Sequence, residues 1–499
     1  MPTTVVLGAG VIGLASAHAL VALAPAHRVH LVDPAPELFA SASGKAAGFL
    51  ARDWFAPATQ PLGALSFDLH AALARDHNGA ARWGYAPSVS YSLDHAYQSE
   101  SDTSDADNVS AANSSTRSWP QATEEPAAHG VRSRPALNSL TSDSSDTPTI
   151  TDVRSTTGLN WLMDGSSRRS SADSSRSRPP PDAIPPWLNA RPEALEVLSD
   201  SQSTAQLYVV SVFRALLAAG VTLHQPARAT RVVEEAGVTH VRIEYPTAEG
   251  GTQTVDIPCE SVVIAAGCWS PQVYGTLFPN ASRMPRVTHL AGYSLTLASK
   301  RWMPPPPPPD PSATPQEEGP AGPPSVPSSD DGDTTAEIST PLPPRTCHAI
   351  FTDADGFAPE IFSRATGDIW VGGLNPPMLP LPALPTDAVI EAGEIARLEA
   401  IARELCGEDF EVRNAALCFR PVTGTGRPVI ARVHEADLGD GPKPRGLPSA
   451  DGDGVAGGVY VATGHGPWGI TLSLGTGRVL AEMVLGRETS VDVGMLSRW

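Results

Sequence analysis

The sequence has few cysteines, no excess of basic charge and no long apolar run. Its five cysteines are odd in number, lie at scattered spacings and form no CxxC pair, so reduced thiols are expected rather than a disulfide framework. Lysine and arginine number 35 against 54 aspartates and glutamates, for a formal charge of −19. Because no basic stripe offsets this acidity, a nucleic-acid partner is excluded.

A membrane span and a metal site are not predicted either. The most apolar N-terminal run, VIGLASAHALVALAPA, is shorter than a membrane span and contains a histidine, so it is predicted to be a buried helix. A globular motif begins at Thr3, which leaves no room for a cleaved presequence. We therefore expect a cytoplasmic protein, with association to an organelle surface left open.

Proline, in contrast, is abundant. Nearly half of the 50 prolines cluster with Ser, Asp and Gly in three stretches, 98–150, 166–186 and 303–345. Stretches so poor in apolar residues cannot offset the entropy of ordering themselves, so they are predicted to be long disordered inserts. Passive loops are the simplest interpretation, but the acidic, Ser-rich and Pro-rich composition leaves docking of protein partners open.

The first regular segment carries a dinucleotide-binding pattern. VVLGAGVIGLASA places GxGxxG at Gly8, Gly10 and Gly13, between a predicted strand and a predicted helix over 11–24. The glycines allow a tight turn, close approach to a pyrophosphate and close helix packing, and the helix N-terminus attracts the anion. Asp33 follows at the end of the next strand, RVHLVDP, where an acidic residue is expected. The pattern predicts dinucleotide binding without separating FAD from NAD.

The stretch SASGKAAGFL, Ser41 to Leu50, consists mainly of small residues. Such residues let a ligand lie directly against the backbone, and the hydroxyls of Ser41 and Ser43 suit a phosphate or a flat ring. A flexible surface loop is the competing interpretation, although it does not explain Phe49 and Leu50.

Further along the chain the pattern predicts a mixed α/β protein. SVVIAAG reads as a strand buried on both faces of a parallel sheet, and helices are predicted over 205–219 and 387–405. From about residue 286 apolar and polar residues alternate, which predicts antiparallel strands with a hairpin turn at 365–368. The end of the chain reads as a strand, a Gly-rich turn and a helix.

Several of these motifs, in this order, resemble the D-amino-acid oxidase and glycine oxidase family of FAD-dependent oxidoreductases. They are LGAGVIGL, Asp33, SASGKAAGFL, VVIAAGCWS, CFRPVTGTGRPVI and VYVATGHGPWGITLSLGTGRVLAEMVLG. SGKAAGFLARDW and GLNWL are most similar to a fungal subgroup. The resemblance implies a Rossmann-like FAD-binding domain and a second domain built on a mostly antiparallel β-sheet. The FAD-binding domain is expected to consist of residues 1–97, 187–285 and 415–499. The second domain is expected to consist of residues 286–302 and 346–414, and parts of 151–165 and 187–204 are open to assignment to this second domain.

The resemblance also implies a set of residues that contact FAD. In the family the stretch matching Ser41–Leu50 runs beside the flavin and its pyrophosphate, VVIAAGCWS packs against the dinucleotide, and GHGPWG opens a helix toward the flavin. The expected cofactor contacts are Gly8, Gly10, Val11, Ile12, Gly13, Asp33, Ser41, Ser43, Lys45, Ala47, Gly48, Leu50, Ala266, Gly267, Trp269, Gly464, His465, Gly466, Gly469, Ile470 and Thr471. A solvated lysine remains an alternative for Lys45.

Three further roles carry open alternatives. Arg420, in CFRPVT, matches a position where the family often binds a substrate carboxylate, but a structural salt bridge would also explain it. Cys418 matches the region where one branch holds its flavin covalently, yet cysteine is commonly a small buried apolar residue. For His465 a buried histidine bound to a carbonyl is preferred over a direct catalytic role.

The activity that the resemblance implies is oxidation of an amine or amino acid. Hydride transfer to flavin N5 would give an imine that hydrolyses, and oxygen would reoxidise the flavin to release peroxide. The chain departs from the family at AQLYVVSVF, where a proline is usual, and it lacks an obvious substrate-side tyrosine pair, which puts the substrate in doubt. The alternative is a flavin-fold interaction or trafficking protein that docks partners through its inserts. An NAD dehydrogenase ranks third, because SASGKAAGFL and GHGPWG have no role in a plain NAD site.

Overall fold

The computed structural model describes residues 1–94, 184–217, 220–304, 346–353, 358–376, 379–445, 447–448 and 455–498. The three predicted inserts fall almost entirely outside the described residues, as does segment 151–165. Their disorder and their suggested docking role therefore stay predictions.

The described residues form helices and strands that alternate through most of the chain. The helices are α1 Val11–Leu23, α2 Ala42–Lys45, α3 Gln60–Asp76, α4 Gly79–Trp83, α5 Val209–Ala215, α6 Ser270–Leu277, α7 Ala392–Cys406 and α8 Gly469–Val484. The strands are β1 Thr3–Leu7, β2 Arg28–Val32, β3 Phe49–Ala51, β4 Ala86–Asp94, β5 Leu195–Ser199, β6 Thr204–Gln206, β7 Val221–His224, β8 Arg228–Glu235, β9 Val238–Pro246, β10 Thr252–Pro258, β11 Ser261–Ile264, β12 Val287–Ser299, β13 Cys347–Asp353, β14 Glu360–Ser363, β15 Asp368–Leu374, β16 Phe410–Thr423, β17 Val429–Arg432, β18 Leu447–Pro448, β19 Val455–Ala456 and β20 Gly458–Thr463.

A six-stranded sheet in the order β17-β20-β11-β1-β2-β7 is parallel except for β17. Its central strands are buried throughout, as the apolar runs TTVVL and SVVI predict. Helices α1 and α8 pack together on one face, where Gly477 lies so close to Ala15 that a Cβ would stand 2.4 Å from its carbonyl carbon. The antiparallel sheet β10-β9-β8 contributes Val241 and Ile243 to the apolar cluster on the other face.

A nine-stranded, mostly antiparallel sheet forms the second layer. Its order is β16-β12-β15-β14-β13-β4-β6-β3, with β5 paired to β4, and only β13 and β4 run parallel among the pairings described. Helix α7 buries Leu398 and Leu405 against this sheet. A Rossmann-like parallel sheet beside a mostly antiparallel one is the predicted fold class, which is confirmed.

Of the predictions for individual elements, the hairpin is confirmed and the starts of two helices are wrong. The hairpin at 365–368 is confirmed, because β14 and β15 pair antiparallel around it. The helix predicted over 205–219 is wrong at its start, where β6 pairs with β3 and the helix begins only at Val209. The helix predicted from residue 387 likewise begins later, at Ala392.

Five strands join a different sheet from the one that the predicted domain limits suggest. The nine-stranded sheet contains β3, β4, β5, β6 and β16, although the predicted limits 1–97, 187–285 and 415–499 assign these strands mainly to the FAD-binding part. The domain limits themselves stay a prediction. Among the described residues, no helix combines the length and apolarity needed to cross a membrane.

Candidate functional site

A cavity of about 520 Å³ lies where the six-stranded sheet faces the nine-stranded one. Leu7, Val32, Ala265 and Thr463 line it, and each stands at or just beyond the carboxyl end of a parallel strand. In open α/β sheets this edge is where ligands bind. The opposite wall comes from the nine-stranded sheet.

The first end of the cavity is built around the β1–α1 turn. Gly8 has a φ of +107°, and a Cβ on it would stand 2.6 Å from the carbonyl oxygen of Ala265. The turn delivers the N-terminus of α1 to the cavity, where the positive end of the helix suits an anion. Gly13 does not line the cavity, because it packs inside α1 with the Gly8 carbonyl oxygen 1.9 Å from where its Cβ would be.

Asp33 stands beside this turn at the end of β2. One carboxylate oxygen accepts a hydrogen bond from the Ala9 N–H at 2.7 Å, and the other accepts from the Ala35 N–H at 2.9 Å. Burial raises the pKa of the Asp33 carboxyl, and the two backbone donors oppose that shift. The fixed carboxylate lines the cavity at the place where a ribose hydroxyl is recognised in dinucleotide sites.

The small-residue stretch folds back onto α1. Ser43, in the short helix α2, accepts a hydrogen bond on Oγ from the Val11 N–H at 3.1 Å. The chain then crosses the cavity wall through Lys45, Ala47 and Gly48 before β3 pairs with β6. The competing interpretation of a flexible surface loop does not fit these contacts.

Two side chains of the nine-stranded sheet hold the backbone of this stretch. Arg364 donates from Nη2 to the carbonyl of Ala46 at 2.8 Å and from Nε to the carbonyl of Ala47 at 2.9 Å, and it forms an ion pair with Asp368 at 3.3 Å. Trp370 donates from Nε1 to the carbonyl of Lys45 at 3.0 Å. Three consecutive carbonyls are thus held by side chains of the nine-stranded sheet. Sequence analysis did not identify Arg364 or Trp370, since the alternation of a strand does not show that its side chains contact a segment about 320 residues earlier in the chain.

The C-terminal turn supplies another helix N-terminus. His465, Gly466, Gly469 and Ile470 line the cavity before and at the start of α8. The His465 ring is buried and its Nε2 lies 3.1 Å from Thr476 Oγ1. Burial lowers the pKa of His465 to about 3, so the ring is neutral at physiological pH.

Arg420 on β16 lies at the cavity with Asn375. Its Nη2 donates to the side-chain oxygen of Asn375, and Gly292 on the neighbouring strand leaves space for the guanidinium, since a Cβ there would stand 2.3 Å from Nη2. None of the ion pairs found among the described residues includes Arg420. The alternative of a structural salt bridge therefore has no support in the described part of the chain.

Cys418 is two residues before Arg420 and also lines the cavity. Burial raises the pKa of its thiol, although Arg420 and Lys45 act in the opposite direction. A raised pKa disfavours the thiolate, which is the nucleophilic form. The environment therefore disfavours covalent attachment and favours the interpretation of Cys418 as a small apolar residue of the cavity wall.

An aromatic wall faces the cavity from the nine-stranded sheet and β3, and sequence analysis did not identify it. Phe362 has ring centroids 5.5 Å from Phe49, from Phe351 and from Trp370. All four rings line the cavity together with the buried carboxylate of Glu360. Tyr293 on β12 lines it as well, so one substrate-side tyrosine candidate exists where none was apparent in the sequence.

The cavity brings together most of the predicted site residues. Those that line it are Gly8, Gly10, Val11, Ile12, Asp33, Ser41, Ser43, Lys45, Ala47, Gly48, Ala266, Gly267, Trp269, Cys418, Arg420, His465, Gly466, Gly469 and Ile470. Gly13, Leu50, Gly464 and Thr471 do not line it. Leu50 and Thr471 are fully buried behind its wall, so a direct contact with a ligand there is not favoured. No cluster of three or more metal-ligating side chains occurs within the ranges that the structure describes.

One other sequence and two solved structures are informative beside this geometry. A candidate oxidoreductase of Schizosaccharomyces pombe is 21% identical over 475 residues, which cover 91% of this chain and 86% of that protein. Glycine oxidase from Geobacillus kaustophilus is 17% identical with a TM-score of 0.59, covering 100% of this chain and 98% of its own. Iminodiacetate oxidase from a Chelativorans species is 14% identical with a TM-score of 0.55, covering 99% and 98%. At these identities the solved structures establish the fold alone.

The family model for FAD dependent oxidoreductases matches residues 3–483. The cavity fits this cofactor, because the N-termini of two helices face it and glycines leave parts of its wall without side chains. At Gly267 and Gly466 a Cβ would meet no protein atom within 4 Å, so there is open space beside the backbone at both positions. FAD is therefore the cofactor, as expected, and the third-ranked alternative of a nicotinamide dehydrogenase is set aside. The chain belongs to the family of FAD-dependent oxidoreductases that includes D-amino-acid oxidase.

Proposed function

We propose that the protein oxidises the C–N bond of an amine or amino acid. The single observation that carries this proposal is Arg420, which faces the cavity from β16 and is held by Asn375 rather than by an acidic side chain of the described chain. A guanidinium fork binds a carboxylate with two parallel hydrogen bonds, which a lysine does not offer. The ligand that best fits this end of the cavity therefore carries a carboxylate.

The cofactor-binding part of the proposal uses the cavity contacts described above. Gly8, Gly10 and the start of α1 would hold the pyrophosphate, Asp33 the ribose, and residues 45–48 and the α8 N-terminus the flavin ring. When bound, FAD supplies the capacity to take two electrons from the substrate carbon and pass them to an external acceptor. The residue contacts stay proposals.

The protein's own contribution would be alignment and charge stabilisation. Arg420 would fix the substrate carboxylate and thereby the distance of the amine-bearing carbon from the flavin. The positive end of α8 would stabilise negative charge without a cationic side chain, because Gly469 and Ile470 at its start line the cavity. His465 is neutral at working pH, so it supplies neither a proton nor a positive charge.

The product follows from the chemistry of the substrate. Loss of a hydride from the carbon that carries an unprotonated amine would give an iminium ion, and water would then convert the iminium ion to a carbonyl compound and release ammonium or a protonated amine. No protein group needs to remove a proton if the amine binds unprotonated.

Substitution of Arg420 tests the proposal. In the Arg420→Ala variant, kcat/KM for amino acids should fall roughly tenfold to hundredfold, because a hydrogen bond to a charged group contributes about 1.5–3 kcal/mol. Arg420→Lys should recover only part of this, since lysine lacks the fork. Amines without a carboxylate should be affected far less.

The matched control is Arg413→Ala on the same strand, where the guanidinium is 60% exposed and pairs with Glu411. This change should leave kcat/KM as it is. Equal loss in the Arg420 and Arg413 variants, or equal loss for substrates with and without a carboxylate, would contradict the role of Arg420.

A further inference from the structure

A histidine on helix α3 is bonded to the first turn of helix α8, whose N-terminus faces the cavity. His70 is 2% exposed, and its Nε2 lies 3.0 Å from the carbonyl oxygen of Ile470. Ile470 is the second residue of α8 and lines the cavity, whereas His70 does not. His70 therefore stands behind the cavity wall and touches the backbone of a residue that forms this wall.

The bond to Ile470 fixes where the imidazole carries its proton. A carbonyl oxygen only accepts hydrogen bonds, so Nε2 carries the proton and donates to Ile470. Burial lowers the pKa of His70 to about 4, and the hydrogen bond to Ile470 opposes that shift, so the ring is neutral at physiological pH. His70 thus supplies a hydrogen-bond donor without adding a charge beside the cavity.

A second side chain donates to the same carbonyl. Ser473 Oγ donates to the Ile470 carbonyl at 2.7 Å and lies 3.4 Å from His70 Nε2. Ser473 is buried as well, and buried hydrogen bonds in such a network polarise one another. Donors on the carbonyl of a helical peptide group enlarge its dipole, and the dipoles of the first turn contribute to the positive charge at the helix N-terminus.

Helix α3 contacts α8 at another point, which restricts how His70 can move. Ser66 lies one turn before His70 on the same face of α3, and its Oγ accepts a hydrogen bond from the Gly475 N–H at 2.9 Å. A Cβ on Gly475 would stand 3.0 Å from the carbonyl oxygen of Leu62, so the helix backbones are close together there. With contacts at both Ile470 and Gly475, α3 fixes the position and the rotation of the first turns of α8.

We propose that His70 is a positioning residue that holds the N-terminus of α8 beside the flavin ring and so favours the reduced cofactor. Reduction adds electrons to FAD, and the positive end of a helix stabilises the negative charge that results. The inference rests on the placement of the flavin ring at α8 given under the proposed function, but not on the oxidation of an amine. Loss of the His70 donor should therefore lower the reduction potential of the bound flavin.

The reduction potential of FAD in the holoprotein, measured against a reference dye during slow reduction, tests the proposal. In His70→Leu the ratio of reduced to oxidised flavin at a fixed potential should fall roughly threefold to tenfold, the range expected when one hydrogen bond is lost. For a two-electron couple this corresponds to a potential lower by about 15–30 mV. His70→Gln, whose amide also offers an N–H, should recover most of the shift.

His27→Leu is the matched control. His27 is also buried, with its Nε2 2.8 Å from Thr4 Oγ1, but it lies near the start of β1 whereas the cavity lies at the end of that strand. This variant should lose stability and keep the wild-type potential. His70→Asn, whose shorter amide does not reach Ile470, serves as a second loss variant should His70→Leu fail to fold, and its potential should fall in the same way.

Two results would overturn the role of His70. One is a folded His70→Leu or His70→Asn variant that holds FAD at the wild-type potential. The other is an equal shift in His27→Leu, since His70 would then act on the fold alone. A shift confined to the His70 variants, in a protein whose flavin no amine or amino acid reduces, would leave this role standing while the proposed function fails. Turnover of an amino acid with unchanged potentials would do the reverse.

Discussion

Replacing Arg364 with methionine should loosen the backbone that lies against the cofactor. Arg364 is 6% exposed, and it donates to the carbonyls of Ala46 and Ala47 at 2.8 and 2.9 Å while pairing with Asp368 at 3.3 Å. Methionine fills similar volume but donates nothing, so two carbonyls and the half-buried carboxylate of Asp368 lose their cationic partner. An acceptor left without its donor inside a protein typically costs about 1–3 kcal/mol of unfolding free energy.

The assay measures the unfolding free energy by denaturant titration and the FAD dissociation constant by equilibrium ultrafiltration. In Arg364→Met the dissociation constant should rise at least about tenfold, because an energy of about 1.4 kcal/mol suffices for that factor. The dissociation constant of Arg364→Lys should lie between those of the wild type and Arg364→Met, since one ammonium group reaches fewer of the three acceptors than a guanidinium does.

Arg242→Met provides the matched control. Arg242 also binds an aspartate with two hydrogen bonds, at 2.8 and 2.7 Å to Asp256, but it lies in the three-stranded sheet and does not line the cavity. This variant should retain FAD with wild-type affinity. A folded Arg364→Met variant that also binds FAD with wild-type affinity would refute the positioning role of Arg364.

The remaining predictions concern the nucleotide turn and the acid range. Gly13→Ala should abolish or strongly weaken FAD binding, because its Cβ would stand 1.9 Å from the Gly8 carbonyl oxygen. Gly393→Ala, whose Cβ would have nothing within 4 Å, should retain FAD, and its unfolding free energy should rise by roughly 0.5–1 kcal/mol because alanine favours helix α7. The amount of FAD retained by each purified variant tests this, and equal retention would contradict it. Burial lowers the pKa of His348 to about 4 from 6.5, so the unfolded chain binds more protons between these values and the unfolding free energy should fall as pH drops through that window. In His348→Gln, the slope of the unfolding free energy against pH, measured by urea titrations, should be smaller by up to about 1.4 kcal/mol per pH unit. An unchanged slope would show that His348 does not cause this pH dependence.

The cofactor end of the site was predictable because its signals are local. A strand, GxGxxG and a helix occupy adjacent residues, and Asp33 lies one strand away, so the spacing alone fixes their geometry. The buried parallel strand at 261–264 was predictable for the same reason, since continuous apolar character reflects burial on both faces.

The substrate end was less predictable because its residues meet only through long-range pairing. Glu360 and Trp370 occur in ordinary alternating strands, and nothing near them in the sequence shows which cavity their faces line. The segment at 204–206 illustrates the same limit: its residues fit a helical pattern, but hydrogen bonds to β3, about 150 residues earlier, make it a strand.

Anaerobic titration of the purified protein with amines and amino acids tests the central claim most directly. The account predicts a yellow protein whose flavin absorbance is bleached by at least one amino acid, with Arg420→Ala requiring far more of that amino acid for the same bleaching. A flavin that dithionite reduces but that stays oxidised with every amine and amino acid, cationic ones included, would contradict it.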